Sequence, residues 1–185
     1  MPKRYAAVGM VEFSSIAAGI DGADQMVKAA QVEPVFFKTI CPGKFVAAVS
    51  GEVAAVTASI GAGRAQHPET VVDWFVISNI HEDVVRALTG TSGPAGRKAL
   101  GIIETFSAVS IVVAADAAVK AANVQLMDVR IALGLGGKGY ALMTGDVAAC
   151  QAAVAAGSAE AAEHGLLVSR IVIPSPADSV FSQIA

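Results

Sequence analysis

The chain has 185 residues, a formal net charge of −3 and a hydrophobic fraction of 54%, enough for one domain or two small ones with cores of their own. Its mean hydropathy of +0.59 is high, yet Glu12, Asp21, Lys28, Asp116, Lys120 and Asp146 break every apolar run long enough to span a bilayer. No basic block marks a nucleic-acid binder, and two cysteines without a secretion signal after Lys3-Arg4 argue against a disulfide framework. These features suit a cytoplasmic protein, without membrane or nucleic-acid partners, that hides apolar surface by self-association.

In chain order, Tyr5 to Val11 has the length and composition of a strand. Ile16, Ile20, Ala23, Val27 and Ala30 then recur at helical spacing, with Ser14 or Ser15 as the expected N-cap. Val35 to Ile40 and Phe45 to Val49 read as two strands joined by a turn at Pro42-Gly43, because proline fixes φ and glycine accepts φ > 0. Cys41 therefore stands at the entry to a tight loop. Gly51-Glu52 opens a second helix with the stripe Val53, Val56 and Ile60. Val71 to Ile77 is a last strand, and Glu82 to Leu88 a short helix. The order β-α-β-β-α-β predicts an α+β sandwich, two helices on one face of an antiparallel sheet.

The unit is then written again. Residues 7–32 match residues 99–124 at 11 of 26 positions, and Gly43–Ala55 matches Gly137–Ala149 at 7 of 13; identity at that level means duplication. The expected domains are residues 4–88 and 98–182, with a Gly- and Ser-rich linker at 89–97. The second copy carries Gly134-Leu135-Gly136-Gly137 where the first has Cys41-Pro42-Gly43. This glycine run is neither a dinucleotide fingerprint, since a strand and not a helix follows it, nor a phosphate loop, since Gly139 stands where Ser or Thr is required.

Glu12 and Glu104 occupy equivalent strand ends. Acid–base catalysis needs carboxylates in two different environments, so duplicated positions point first to a structural role. His67, His81 and His164 have no metal-ligand spacing and read as solvated. Cys150 lies on the stripe Val147, Cys150 and Val154, ordinary helix core. Cys41 has no cysteine counterpart in the second copy. One thiol cannot hold an iron–sulfur cluster, but three chains around a threefold axis would supply three; a plain pore-facing or packed thiol is the simpler alternative.

The phrases Ala7-Val8-Gly9-Met10-Val11-Glu12, Ala23-Asp24 with Val27-Lys28-Ala29-Ala30, and Gly51-Glu52-Val53-Ala54-Ala55-Val56 resemble the shell domain of bacterial microcompartments, once per copy. Two fused domains are similar to the tandem-domain shell proteins, which implies a homotrimer shaped as a pseudohexamer, tiling with other shell proteins. Lys38 to Phe45 is similar to the segment of the propanediol-utilisation class, and the resemblance implies one [4Fe-4S] cluster per trimer, held by Cys41 of three chains. It also implies that Pro42, Gly43, Gly134, Leu135, Gly136 and Gly137 border a central pore. Lys28 and Lys120 match the family's tile-edge lysine. The family's Pro-Arg-Pro-His segment reads Pro174-Ser175-Pro176-Ala177 here, without the arginine that reaches a neighbouring tile. The expected function is a non-enzymatic facet tile carrying the cluster. The alternatives are a tile with an open small-molecule pore, a regulatory trimer that binds small ligands, or a small enzyme using Glu12 or Glu104.

Overall fold

The computed structural model describes residues 6–88, 90, 96, 98–131 and 134–184. The first repeat runs β1 (Ala7–Phe13), α1 (Ile16–Ala29), β2 (Glu33–Ile40), β3 (Lys44–Gly51), α2 (Val53–Gln66), β4 (Val71–Ser78) and α3 (Glu82–Leu88). The second runs β5 (Ala99–Thr105), α4 (Ala108–Ala121), β6 (Gln125–Ile131), β7 (Gly139–Gly145), α5 (Val147–Glu163), β8 (Leu167–Ile173) and α6 (Asp178–Ile184). Of the expected linker, only Gly90, Gly96 and Lys98 beside it fall within the described residues, and Lys3, Arg4 and Tyr5 lie outside them.

Each repeat forms a four-stranded antiparallel sheet, ordered β2-β3-β1-β4 in one and β6-β7-β5-β8 in the other. The registers agree: Val11 faces Ala47 as Ile103 faces Ala141. The central strand β1 is buried along its whole length, Glu12 included, so its sequence shows no alternation of apolar and polar residues. Helices α1 and α2 pack together on the first sheet, as α4 and α5 do on the second.

Backbone approach decides which helix face turns inward. A Cβ at Gly9 would stand 2.6 Å from Ile60 Cγ1, and one at Gly22 would stand 3.2 Å from the Gly63 carbonyl oxygen. Helices this close to each other and to the sheet need small residues at the crossing. Accordingly α1 buries Ala18, Gly19, Gly22, Ala23 and Met26. This corrects the stripe read from the sequence: Ile16, Ile20 and Val27 are exposed, Ile20 by 55%. Val53 and Val147 are likewise exposed at the first turns of α2 and α5, while Val56, Ile60, Cys150 and Val154 are buried. Ser15 is the N-cap of α1, its Oγ accepting from the Ala18 N–H at 3.3 Å.

The fold separates into two compact units whose boundaries differ from those of the repeats. The first holds the described residues up to Ile80 together with Gly134 to Gly137. The second begins at His81, so α3 belongs with the second sheet, where it packs on β6 and α4.

Candidate functional site

Cys41 closes β2 and opens a turn of Cys41, Pro42 and Gly43 before β3 begins at Lys44. The Cys41–Pro42 peptide is cis, and Gly43 sits at φ 77°, a left-handed conformation natural to glycine. Cys41 is half-buried, whereas Pro42 and Gly43 are exposed. The glycine-rich segment lies against this turn within the first unit. A Cβ on Gly137 (φ 90°) would stand 3.1 Å from Pro42 Cδ and 3.3 Å from the Cys41 carbonyl oxygen. Glycine at 137 is favoured by its left-handed backbone, and a side chain there would press on the turn. Gly134 and Gly136 are exposed, and Leu135 is half-buried. Of the residues expected at the pore, Gly137 is thus brought against Pro42 and Cys41.

A charge pair stands at the turn end of each hairpin. Lys44 Nζ donates to Glu12 Oε1 at 2.7 Å, and Lys138 Nζ donates to Glu104 Oε1 at 3.1 Å. The two glutamates are thus held by the lysines that begin β3 or precede β7, an arrangement that fixes hairpins rather than pairing one carboxylate with another. Lys44 Nζ also lies 3.5 Å from the Cβ position of Gly137, which places a cation beside the glycine segment.

Among the described residues no three His, Cys, Asp or Glu side chains gather into a metal-binding group. Each chain offers its loop one thiol, so the donor chemistry fits an iron–sulfur group only where several chains pool Cys41. Cys150 is no candidate. It is buried on α5, its Sγ donating to the Ala99 carbonyl at 3.6 Å, and burial, then the Asp146 charge, push its thiol pKa up.

The two candidate edge lysines keep the same i, i+4 partner in both repeats. Lys28 pairs with Asp24, and Lys120 Nζ donates to Asp116 Oδ2 at 2.5 Å. His67 is not simply solvated as expected: its Nε2 lies 2.8 Å from Asp21 Oδ2. That imidazole, and then Gln66, hold the exposed Asp21 carboxyl below its usual value.

Sequence reading missed a cavity of about 730 Å³ on the second sheet, lined by Ile102, Glu104, Asp128, Arg130, Tyr140 and Leu142 among others. Arg130 Nε donates to Asp128 Oδ2 at 2.7 Å, and the Tyr140 hydroxyl donates to the same oxygen at 3.4 Å. Burial, then the Asp128 charge, raise the Tyr140 pKa. These polar residues come from three strands, and only the cross-strand register brings them together.

The comparisons with known proteins agree with this architecture. The BMC domain matches residues 7–80 and again 99–176. The chain is 44% identical over 178 residues to the bacterial microcompartment shell protein PduT of Citrobacter freundii, covering 96% of this chain and 97% of that one. It is 52% identical over 79 residues to the bacterial microcompartment shell protein EutM of Salmonella typhimurium, covering 43% of this chain and 80% of that protein. A crystal structure of a microcompartment protein from Desulfitobacterium hafniense DCB superposes with a TM-score of 0.85 at 46% identity, covering 95% of this chain and 98% of that one. The fused permuted hexameric shell protein MSM0275 of the RMM microcompartment, at 22% identity and a TM-score of 0.60, covers 81% of this chain and 78% of its own and shares the fold.

Proposed function

The chain belongs to the bacterial microcompartment shell proteins with two BMC domains, and from that premise we propose that it is a trimeric facet tile whose pore carries an iron–sulfur cluster. As a shell component it is structural rather than enzymatic. Its place is the shell of a protein-walled compartment within the cytoplasm, beside other shell proteins. No helix among the described residues is long and apolar enough to cross a membrane. Six similar domains arranged as three chains give a ring with pseudo-sixfold outline and true threefold symmetry.

The observation that carries the cluster reading is the asymmetry of the two hairpins. Cys41 tips one of them, and glycines replace it in the other. Such an arrangement gives a ring three thiols, not six. The mutual contact of Pro42 and Gly137 supports both loops bordering one aperture. When bound, a [4Fe-4S] cluster would supply one-electron redox chemistry at the pore. The chain's own residues would hold it through Cys41, with Pro42, Gly43, Gly134, Leu135, Gly136 and Gly137 as the rim. Lys28 and Lys120 would face neighbouring tiles, and the missing arginine at Pro174-Ser175-Pro176 would change which tiles fit beside them.

Iron and sulfide analysis of anaerobically reconstituted protein tests the cluster, with one cluster per three chains expected. Cys41→Ser should remove the iron and leave the fold, because the half-buried turn residue contributes little packing. Wild type with no more iron than Cys41→Ser would leave a tile with an open pore. Replacing Lys28 and Lys120 with alanine should leave trimers but abolish extended sheets; sheets of normal size would remove the edge assignment.

A further inference from the structure

We infer that the cavity on the second sheet binds a small α-amino acid with an apolar side chain, its two charged ends held by Asp128 and Arg130.

The strand registers set the cavity wall in two rows that cross the sheet. One row runs Arg130, Tyr140 and Glu104, and the next runs Asp128, Leu142 and Ile102, each passing over β6, β7 and β5. Residues two apart on a strand share a face, and all of these line the same cavity. The opposed charges of Asp128 and Arg130 therefore stand together at the β6 side, and the apolar pair Leu142 and Ile102 extends away from them. Two strand spacings, about 10 Å, separate Asp128 from Ile102. That length suits a leucine or phenylalanine side chain.

The charged pair keeps bonding capacity for a ligand. Arg130 Nε and the Tyr140 hydroxyl both donate to Asp128 Oδ2, and the second carboxylate oxygen remains an acceptor for an ammonium group. Arg130 engages Asp128 through Nε, so its remaining N–H groups can donate to a carboxylate. The Asp128 side chain is 16% exposed against 66% for Arg130, which puts the ammonium end under better cover than the carboxylate end. Ammonium and carboxylate carried on one carbon match two neighbouring side chains of opposite charge. A ligand with only one charge would meet like charge at one of them. Glu104 is neutralised by Lys138 and adds no net charge.

The first repeat shows that the sheet does not need these residues. The same two rows read Lys38, Val46 and Glu12, then Phe36, Ala48 and Met10. Lys38 stands over the Phe36 ring at 4.6 Å, with an aromatic ring where the second repeat has an acid. The aspartate and the tyrosine are thus additions of one copy to a sheet that forms without them in the other.

Isothermal titration calorimetry of the full chain with leucine, isocaproate (no ammonium) and isopentylamine (no carboxylate) tests the site. Leucine should bind at about 1 mM or tighter, and each analogue at least about tenfold more weakly. Asp128→Asn and Arg130→Met, with folding checked by circular dichroism, should each weaken leucine binding by about tenfold or more. Lys38→Met, at the matching position of the first repeat, should leave it unchanged. Absence of leucine binding, an analogue that binds as tightly, or wild-type affinity in either folded cavity variant would overturn the site.

Discussion

The hairpins β2–β3 and β6–β7 show how much two copies of one sequence can diverge while keeping a contact. Both place a lysine after their turn against a glutamate of the central strand. In the first, Glu12 is 0% exposed and Lys44 19%; in the second, Glu104 and Lys138 are 34% and 40% exposed. The pairing has been retained and its surroundings have not. An ion pair in water contributes little, because solvent screens it and long side chains lose entropy. A buried carboxylate left without its cation is costly.

The widest separation between copies is therefore expected here. Lys44→Met should destabilise the protein by about 3 kcal/mol, and Lys138→Met by less than about 1 kcal/mol, read from denaturant midpoints at constant slope. Equal losses would mean that burial does not distinguish the pairs.

The helix crossings offer a second contrast. A Cβ at Gly157 would stand 2.5 Å from the Ala114 carbonyl oxygen, whereas one at Gly63 would meet Met26 Cγ at 2.5 Å and the Gly22 carbonyl oxygen only at 3.2 Å. Met26 is fully buried, but a side chain still yields more readily than a helix backbone. Alanine also gains about 1 kcal/mol of helix propensity over glycine. Gly157→Ala should still cost about 2 kcal/mol through overpacking, while Gly63→Ala, whose nearest backbone contact is 3.2 Å, should cost about 1 kcal/mol. Thermal unfolding of the two variants decides this, and reversal of their order would break the comparison.

A smaller effect comes from an exchange of roles between helix and strand. In the first unit the α2 guanidinium of Arg64 stacks 3.6 Å from the Trp74 ring centroid on β4. In the second, Arg170 on β8 donates to Ser158 Oγ on α5 at 3.0 Å. Trp74→Leu should cost about 1 kcal/mol, and Arg170→Met about 0.5 kcal/mol. A double variant should lose the sum, because the sites share no partner.

The two thiols should differ in reactivity more than in energy. In metal-free protein at neutral pH, alkylation should reach Cys41 and spare Cys150, whose thiol is buried. Because the folded Cys150 pKa is raised, its stabilising contribution is complete below the ordinary value of 9.0 and declines as pH rises past it. Rapid labelling of Cys150 in folded protein would show that α5 opens locally.

Most of the architecture was legible in the sequence because it is written twice, and a strand or cap recurring after 92 residues cannot be accidental. Ser15, Gly43 and the β-α-β-β-α-β order stand where local chemistry put them. The inward face of α1 was not legible. Hydrophobic periodicity marks a face that seeks burial without saying against what, and the crossing with α2 demands glycine and alanine instead. The candidate loops were legible as separate turns, but the approach of Gly137 to Pro42 depends on a tertiary contact across 95 positions of chain. Asp128, Arg130 and Tyr140 were invisible for a similar reason: neighbours across strands carry no signal in a linear reading.

That Gly134 to Gly137 complete the first unit has a consequence for biosynthesis. A ribosome that has finished Ile80 must add about 57 more residues, roughly 3–11 s at 5–20 residues per second, before the last piece of that unit is made. Until then the nascent turn at Pro42 faces solvent where Gly137 will later lie. The gene fusion thus gives the amino-terminal half a completion signal from downstream, which two separately translated single-domain proteins could not deliver in order.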